Sequence, residues 1–176
     1  MKMKIVLAPD SFKGSLTSIQ VAEVMSAAIK SVNPTIETVL KPMADGGEGT
    51  LTALLMSTPG EKTYFHCKNV FGEASESWYV TLPDKTAIIE CANIAGLQHI
   101  PEDQRNPNQS TSFGIGQAIL HAVGQGCKKI IVALGGSATN DAGYGMLQAL
   151  GMKAWNKSGE EIGFLGKDLL DRHPSN

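Results

Sequence analysis

The run Gly135–Gly143, GGSATNDAG, constrains this chain more than any other stretch. It follows an apolar, strand-like run, KKIIVAL, and leads into YGMLQAL, whose apolar spacing is helical. A strand that turns through glycines into a helix aims backbone N–H groups and a helix N-terminus at one point. Both favour an anion such as phosphate. Ser137, Thr139, Asn140 and Asp141 add side chains able to donate protons, accept them or hold a metal. The loop therefore predicts a phosphate-handling site at the carboxyl edge of a sheet.

The same order of elements occurs at the start of the chain. KIVLA is a short, wholly apolar run, the type buried on both faces of a parallel sheet. It opens into PDSFKGS, after which Thr17 and Gln20 have capping-box spacing. Val21, Val24, Met25, Ala28, Ile29 and Val32 then recur at helical spacing and form one apolar stripe, and Asn33-Pro34 stops the helix. TIETVLK returns as a strand, which completes a βαβ unit with an expected right-handed crossover. KPMADGGEGT then leads into a second helix, LTALLM, ending before Pro59-Gly60.

Beyond that point the pattern changes. TYFHCKNV, SESWYVTL and TAIIEC read as strands of an antiparallel meander, with Pro83 suited to the second position of a type I turn. The polar loop PEDQRNPNQSTS and a helix carrying Ile115, Ala118, Ile119, Ala122 and Val123 on one face come next. The tail GFLGKDLLDRHPSN starts another helix. The expected fold is α/β: a Rossmann-like parallel sheet segment over residues 1–65, then a second mixed α/β domain with antiparallel strands over 66–176.

Composition narrows the function. A net charge of -2 over 176 residues carries no basic excess, so no nucleic-acid partner is expected. No segment approaches the ~20 apolar residues of a membrane span. The first apolar run breaks at Pro9 and Asp10, too early for a signal-peptide core. Cys67, Cys91 and Cys127 lack CxxC spacing and read as reduced thiols of a cytoplasmic protein. His66, His99, His121 and His173 show no metal-ligand spacing, and His121 reads as a surface or partly buried helix residue.

Three loops, PDSFKGS, ADGGEGT and GGSATNDAG, carry the chemistry, each at the carboxyl end of a strand, where open α/β sheets bind ligands. Lys13 is the candidate phosphate-binding ammonium, with Ser11 beside it. Asp45, Glu48 and Asp141 are candidate carboxylates for Mg²⁺ or for orienting an attacking hydroxyl. Asp45 and Asp141 stand at helix starts, so each is equally readable as an N-cap. Gly46, Gly47, Gly135 and Gly136 free the backbone to approach a phosphate, and Arg105 is a candidate carboxylate or phosphate clamp. The P-loop, dinucleotide and protein-kinase signatures are absent. Ser137 resembles half of a nucleophile elbow, with Thr139 where the second glycine should stand, so a Ser137 hydrolase is a further reading.

APDSFKGSLTS, PMADGGEGT, RNP followed by TSFGIGQAI, and LGGSATNDAGYGMLQALG together resemble the type-1 glycerate kinase family of bacteria. The motifs occur in family order, and the resemblance runs to about Gly163. It implies transfer of the ATP γ-phosphoryl group to D-glycerate with Mg²⁺, giving phosphoglycerate, with 2-phosphoglycerate favoured. It implies that Lys13 neutralises phosphate charge and that Gly135, Gly136, Ser137, Thr139 and Asn140 cradle phosphate or nucleotide. Asp45 or Asp141 would orient the acceptor hydroxyl or take its proton while the other holds Mg²⁺, and Arg105 would bind the glycerate carboxylate. The family fold has two α/β domains around a cleft, the first discontinuous and the second inserted. Family members are considerably longer, so the resemblance also implies a truncated form with uncovered sheet edges, prone to self-association or awaiting a C-terminal half. An inactive or partner-dependent fragment is the alternative function. Ala142 departs from the pattern, standing where the family more often has glycine.

Overall fold

The computed structural model describes residues 3–171, so His173 and the polar end of the tail lie outside the described residues. The architecture is mixed α/β, with one parallel and one mixed sheet. Strand β1 (Lys4–Leu7) crosses through helix α1 (Ser18–Val32) to β2 (Glu37–Leu40), and the two strands pair in parallel from Lys4↔Glu37 to Leu7↔Leu40. Thr17 forms the full capping box at the start of α1: its Oγ1 accepts the Gln20 N–H at 3.2 Å, and its own N–H donates to Gln20 Oε1 at 2.9 Å. These two bonds satisfy donors that a helix start otherwise leaves open.

The pairing follows the sequence pattern, but the burial does not. A strand of a wide parallel sheet would be covered on both faces, yet Val6 is 59% exposed and Leu7 alone in β1 is buried. The stripe on α1 is likewise only partly used. Val21 and Ala22 are buried, while Val24, Met25 and Val32 stay exposed. Two strands are too narrow to cover a stripe of that width.

The second sheet is broader. Helix α2 (Thr50–Leu55) leads into β3 (Glu61–Lys68), β4 (Ala74–Thr81), β5 (Thr86–Glu90) and, after a helical crossover, β6 (Lys129–Ala133). The sheet order is β3-β4-β5-β6, antiparallel in the first two pairings and parallel in the last. The β4–β5 turn closes through the Lys85 N–H on the Leu82 carbonyl at 3.0 Å, around Pro83. The crossover between β5 and β6 contains α3 (Cys91–Ala95), short 3-10 turns and α4 (Phe113–Gly124), followed after β6 by α5 (Tyr144–Ala149). Within the described part of the tail, Gly166–Asp171 forms a 3-10 helix.

The main core lies under this sheet, where Phe65, Tyr79, Ile89, Ile94, Ile115 and Ala118 pack together. His121 sits at its border, half-buried, with Nδ1 3.1 Å from the Tyr79 hydroxyl. A second cluster joins Leu51 of α2 to Val80 and Ile88, which fixes α2 on the sheet that follows it. Fully burying one such leucine contributes about 1.5–3 kcal/mol. All three cysteines are free and buried. Burial pushes the thiols of Cys67 and Cys91 up to about 11 and disfavours their reactive thiolates. No described helix is long and apolar enough to cross a membrane.

Candidate active site

The site is built where the loops after β2 and β6 touch. A methyl group added at Gly46 would lie 2.7 Å from the Leu134 carbonyl oxygen, and one at Gly135 would lie 2.7 Å from Gly47 Cα. Glycine is required because two backbones occupy the space a side chain would fill. Gly136 continues the contact: its carbonyl accepts the Leu97 N–H at 2.8 Å, and its Cβ direction faces the Glu48 N–H and Gln98 Oε1.

Beside this junction opens a cavity of about 720 Å³, within the range of small-molecule sites. Ser11, Lys13, Glu48 and Arg105 line it together. Lys13 Nζ lies 3.9 Å from Asp45 Oδ2, with both side chains well exposed. An exposed pair at that distance contributes little to stability, so both charges remain available to a ligand. Asp45 Oδ1 accepts the Gly47 N–H at 3.0 Å. That bond, and next the Lys13 charge, hold the Asp45 carboxyl below its ordinary value. The Arg105 Nε donates to the Ile100 carbonyl at 3.3 Å and Nη1 lies 3.7 Å from Glu102, which tethers the guanidinium at the cavity wall.

The loop Gly135–Gly143 places its residues differently from one another. Ser137 Oγ and Thr139 Oγ1 pair at 2.9 Å, exposed, and Asn140 is exposed. Among the described residues no imidazole bonds the Ser137 hydroxyl, so the geometry lacks the base that a serine nucleophile needs. Asp141 is 1% exposed. Its Oδ2 accepts the Ser112 N–H at 2.9 Å, the Ser112 hydroxyl at 2.7 Å and the Gly145 N–H at 3.2 Å, while Oδ1 accepts the Gly143 N–H at 3.1 Å. Four donors fill its oxygens, and it lies outside the cavity that Lys13 lines. It joins the start of α5 to the start of α4. Ala142, next to it, adopts φ +50°, a left-handed conformation that strains any residue but glycine.

Of the three helix starts that follow these loops, those of α2 and α5 are already capped by the protein's own carboxylates. Asp141 does this at α5. At α2 the cap comes from Glu90, which the sequence reading passed over. Glu90 is 4% exposed, Oε1 accepts the Gly49 N–H at 3.1 Å, and Oε2 accepts the Leu51 N–H at 2.9 Å. Burial raises its carboxyl above the ordinary range, against the pull of those two N–H groups. The available signal was a lone acid ending the apolar run TAIIE, since buried glutamates are rare unless partnered. Trp78, Asn93, Gln98 and His99 also line the cavity and lay outside the motifs. Among the described residues no three His, Cys, Asp or Glu side chains cluster as a metal cage.

A family model described as the glycerate kinase family matches residues 5–174. The chain belongs to the glycerate kinase family. It is 44% identical over 168 residues to the glycerate 2-kinase of Escherichia coli (strain K12), an alignment covering 95% of this chain and 44% of that protein. Against the glycerate kinase of Bacillus subtilis (strain 168) it is 43% identical over 162 residues, covering 92% and 42%. A crystal structure described as glycerate kinase 2 from Salmonella typhimurium LT2 superimposes with a TM-score of 0.77 at 38% identity, covering 97% of this chain and 47% of that one. The chain thus spans less than half the length of these relatives. The matched region contains the loops Asp45–Thr50 and Gly135–Gly143, whose backbones meet at Gly46, Gly47 and Gly135.

Proposed function

We propose that this chain carries a phosphotransfer site of the glycerate kinase type, moving the ATP γ-phosphoryl group to D-glycerate. The observation that carries this reading is the Lys13–Asp45 pair at 3.9 Å beside the cavity and the loop junction. Phosphoryl transfer needs charge neutralisation and a positioned hydroxyl more than covalent chemistry. Lys13 supplies the positive charge. The backbone of Gly135 and Gly136, with the hydroxyls of Ser137 and Thr139, forms the phosphate cradle alongside.

Asp45, exposed and adjacent to Lys13, orients the acceptor hydroxyl and receives its proton. The N–H of Gly47 and the charge of Lys13 keep it ionised and make it a weak base. That suits a loose transition state in which the proton leaves late. Asp141, its oxygens filled, shapes the loop instead of holding metal. Mg²⁺ entering with the nucleotide would neutralise charge on the phosphates, with Glu48 and Asp45 as the carboxylates able to reach it. Arg105 at the cavity wall receives the glycerate carboxylate. Attack through the 2-hydroxyl is favoured, supported by the name of the E. coli relative.

The test is ATP- and Mg²⁺-dependent phosphorylation of D-glycerate by the purified chain, with the product identified by NMR. Formation of 2-phosphoglycerate supports the full reading, 3-phosphoglycerate corrects the acceptor position, and no turnover removes the activity from this chain. The uncovered apolar side chains of β1 and α1 support the expectation that this part packs against further protein. Sedimentation of the purified chain measures it, and a monomer at every concentration argues against self-association.

A further inference from the structure

We propose that Glu90 is a positioning residue for phosphotransfer, holding the loop Asp45–Thr50 at the height where Asp45 meets Lys13. This rests on the functional reading above. Hydrogen bonds and the backbone between them connect Glu90 to Asp45. Glu90 binds the N–H groups of Gly49 and Leu51. Thr50 Oγ1 then donates to the Gly47 carbonyl at 2.7 Å, and the Gly47 N–H donates to Asp45 Oδ1 at 3.0 Å. Glu90 ends β5 and so belongs to the broad, well-buried sheet. Asp45 belongs to the loop after the narrow, exposed one. The chain of bonds references the reactive loop to the rigid half of the molecule.

A helix cap alone does not account for this residue. Caps ordinarily come from a Ser, Thr, Asp or Asn next to the helix, with little burial. Here the N-cap is Gly49 and the acceptor comes from 39 to 41 positions along the chain. Burying a carboxyl is costly, and a six-residue helix returns little in exchange. The carboxyl also borders the cavity shared by Lys13 and Arg105, and Glu48 faces it closely enough to repel it electrostatically. Its two oxygens fix the Gly49 N–H at the end of the loop and the Leu51 N–H in the first turn of α2, and so set the loop's orientation as well as its position. Misplacing a reacting group by about 1 Å costs on the order of 10²-fold in rate, which is the effect Glu90 prevents.

The experiment uses the full chain and Glu90→Gln, which keeps the length but offers one acceptor oxygen for two donors. The expected result is a fall in kcat of roughly 10- to 100-fold, with KM for ATP and glycerate changed less than about threefold. The amide resonances of Asp45 and Gly47 shift while those of β3 and β4 stay in place. Glu90→Asp, one methylene too short to reach both donors, falls between Gln and full loss or below Gln, and does not restore kcat. A lower melting temperature with unchanged kcat per folded molecule assigns Glu90 a purely structural cap and overturns the proposal. If Glu90→Gln does not fold, Thr50→Val interrupts the same chain of bonds one step closer to Asp45, and unchanged kcat and unchanged Gly47 and Asp45 resonances overturn it. If the wild-type chain phosphorylates no glycerate, the functional reading fails. The resonance shifts then decide the positioning claim by themselves.

Discussion

In the loop Asp45–Thr50 and in the loop Asp141–Tyr144 the same local device appears. An aspartate Oδ1 accepts the N–H two residues on, at 3.0 Å from Gly47 and 3.1 Å from Gly143. A left-handed glycine, Gly49 or Gly143, then starts a six-residue helix. The second oxygen separates them. Asp45 Oδ2 faces outward to Lys13, whereas Asp141 Oδ2 faces inward to Ser112 and Gly145. The reason lies outside both loops. Glu90 reaches α2 from β5 and satisfies its first donors, which leaves Asp45 free. At α5 the acceptor is Asp141 itself, which caps its own helix and also ties down α4. Two aspartates in like motifs therefore take opposite posts according to which neighbour supplies the cap.

The largest expected effect tests the inward member. Asp141→Ala leaves the Ser112 N–H and hydroxyl and the Gly143 and Gly145 N–H groups without their acceptor. The expected loss is about 3–5 kcal/mol in urea unfolding, the scale of a broken buried network. Asp45→Ala, on an exposed pair, should leave stability close to that of the wild type. Equal losses from the two would erase the distinction between the loops.

The outward member is tested by rate. Asp45→Asn should lower kcat roughly 10²-fold or more if the carboxylate meets the acceptor hydroxyl. Its melting temperature should be close to that of the wild type. Unchanged turnover removes Asp45 from that role and leaves Lys13 without a catalytic partner in its ion pair.

Much of this arrangement is legible in the sequence. The βαβ unit, the meander and the capping box at Thr17 follow from periodicity and from spacing that only one local geometry satisfies. The convergence of Lys13 and Asp45 follows from where strands end in an α/β sheet. Three things are not legible. Helix α3, CANIA, is too short to show a helical period. The exposure of Val24 and Val32 depends on how wide the neighbouring sheet is, which the helix itself does not encode. The inward turn of Asp141 Oδ2 depends on Ser112, 29 positions away, which GGSATNDAG alone does not reveal.

A smaller effect tests the strain inside the second loop. Ala142 holds φ +50° beside a network that forces the turn. Ala142→Gly removes the Cβ clash but adds freedom to the unfolded chain, and the net should be a gain of about 0.5–1 kcal/mol. A gain would show that the network around Asp141 stores strain the first loop lacks. A loss would show that the surrounding bonds have already relaxed it.

The smallest effect is a pH dependence, and its sign distinguishes the two acids that serve the first loop. Burial holds the Glu90 carboxyl above its ordinary 4.5, so the folded chain binds that proton more tightly than the unfolded chain does. Stability falls with rising pH wherever the folded state holds more protons. The Glu90 contribution is therefore most favourable below 4.5 and declines as pH rises through the raised folded value. Asp45 runs the other way: its carboxyl is lowered, so its small contribution is present above 3.8 and fades as pH falls through the folded value. Unfolding free energies of the wild type and of Glu90→Gln, measured from pH 4 to 7, should diverge accordingly, the wild type losing ground to the variant as pH increases. The same comparison with Asp45→Asn should rise slightly near pH 4 and be flat above about pH 5. A wild type that instead gains on Glu90→Gln with rising pH would mean that the Gly49 and Leu51 N–H groups outweigh burial. Glu90 would then be a charge stabilised by the helix start rather than one held against its desolvation.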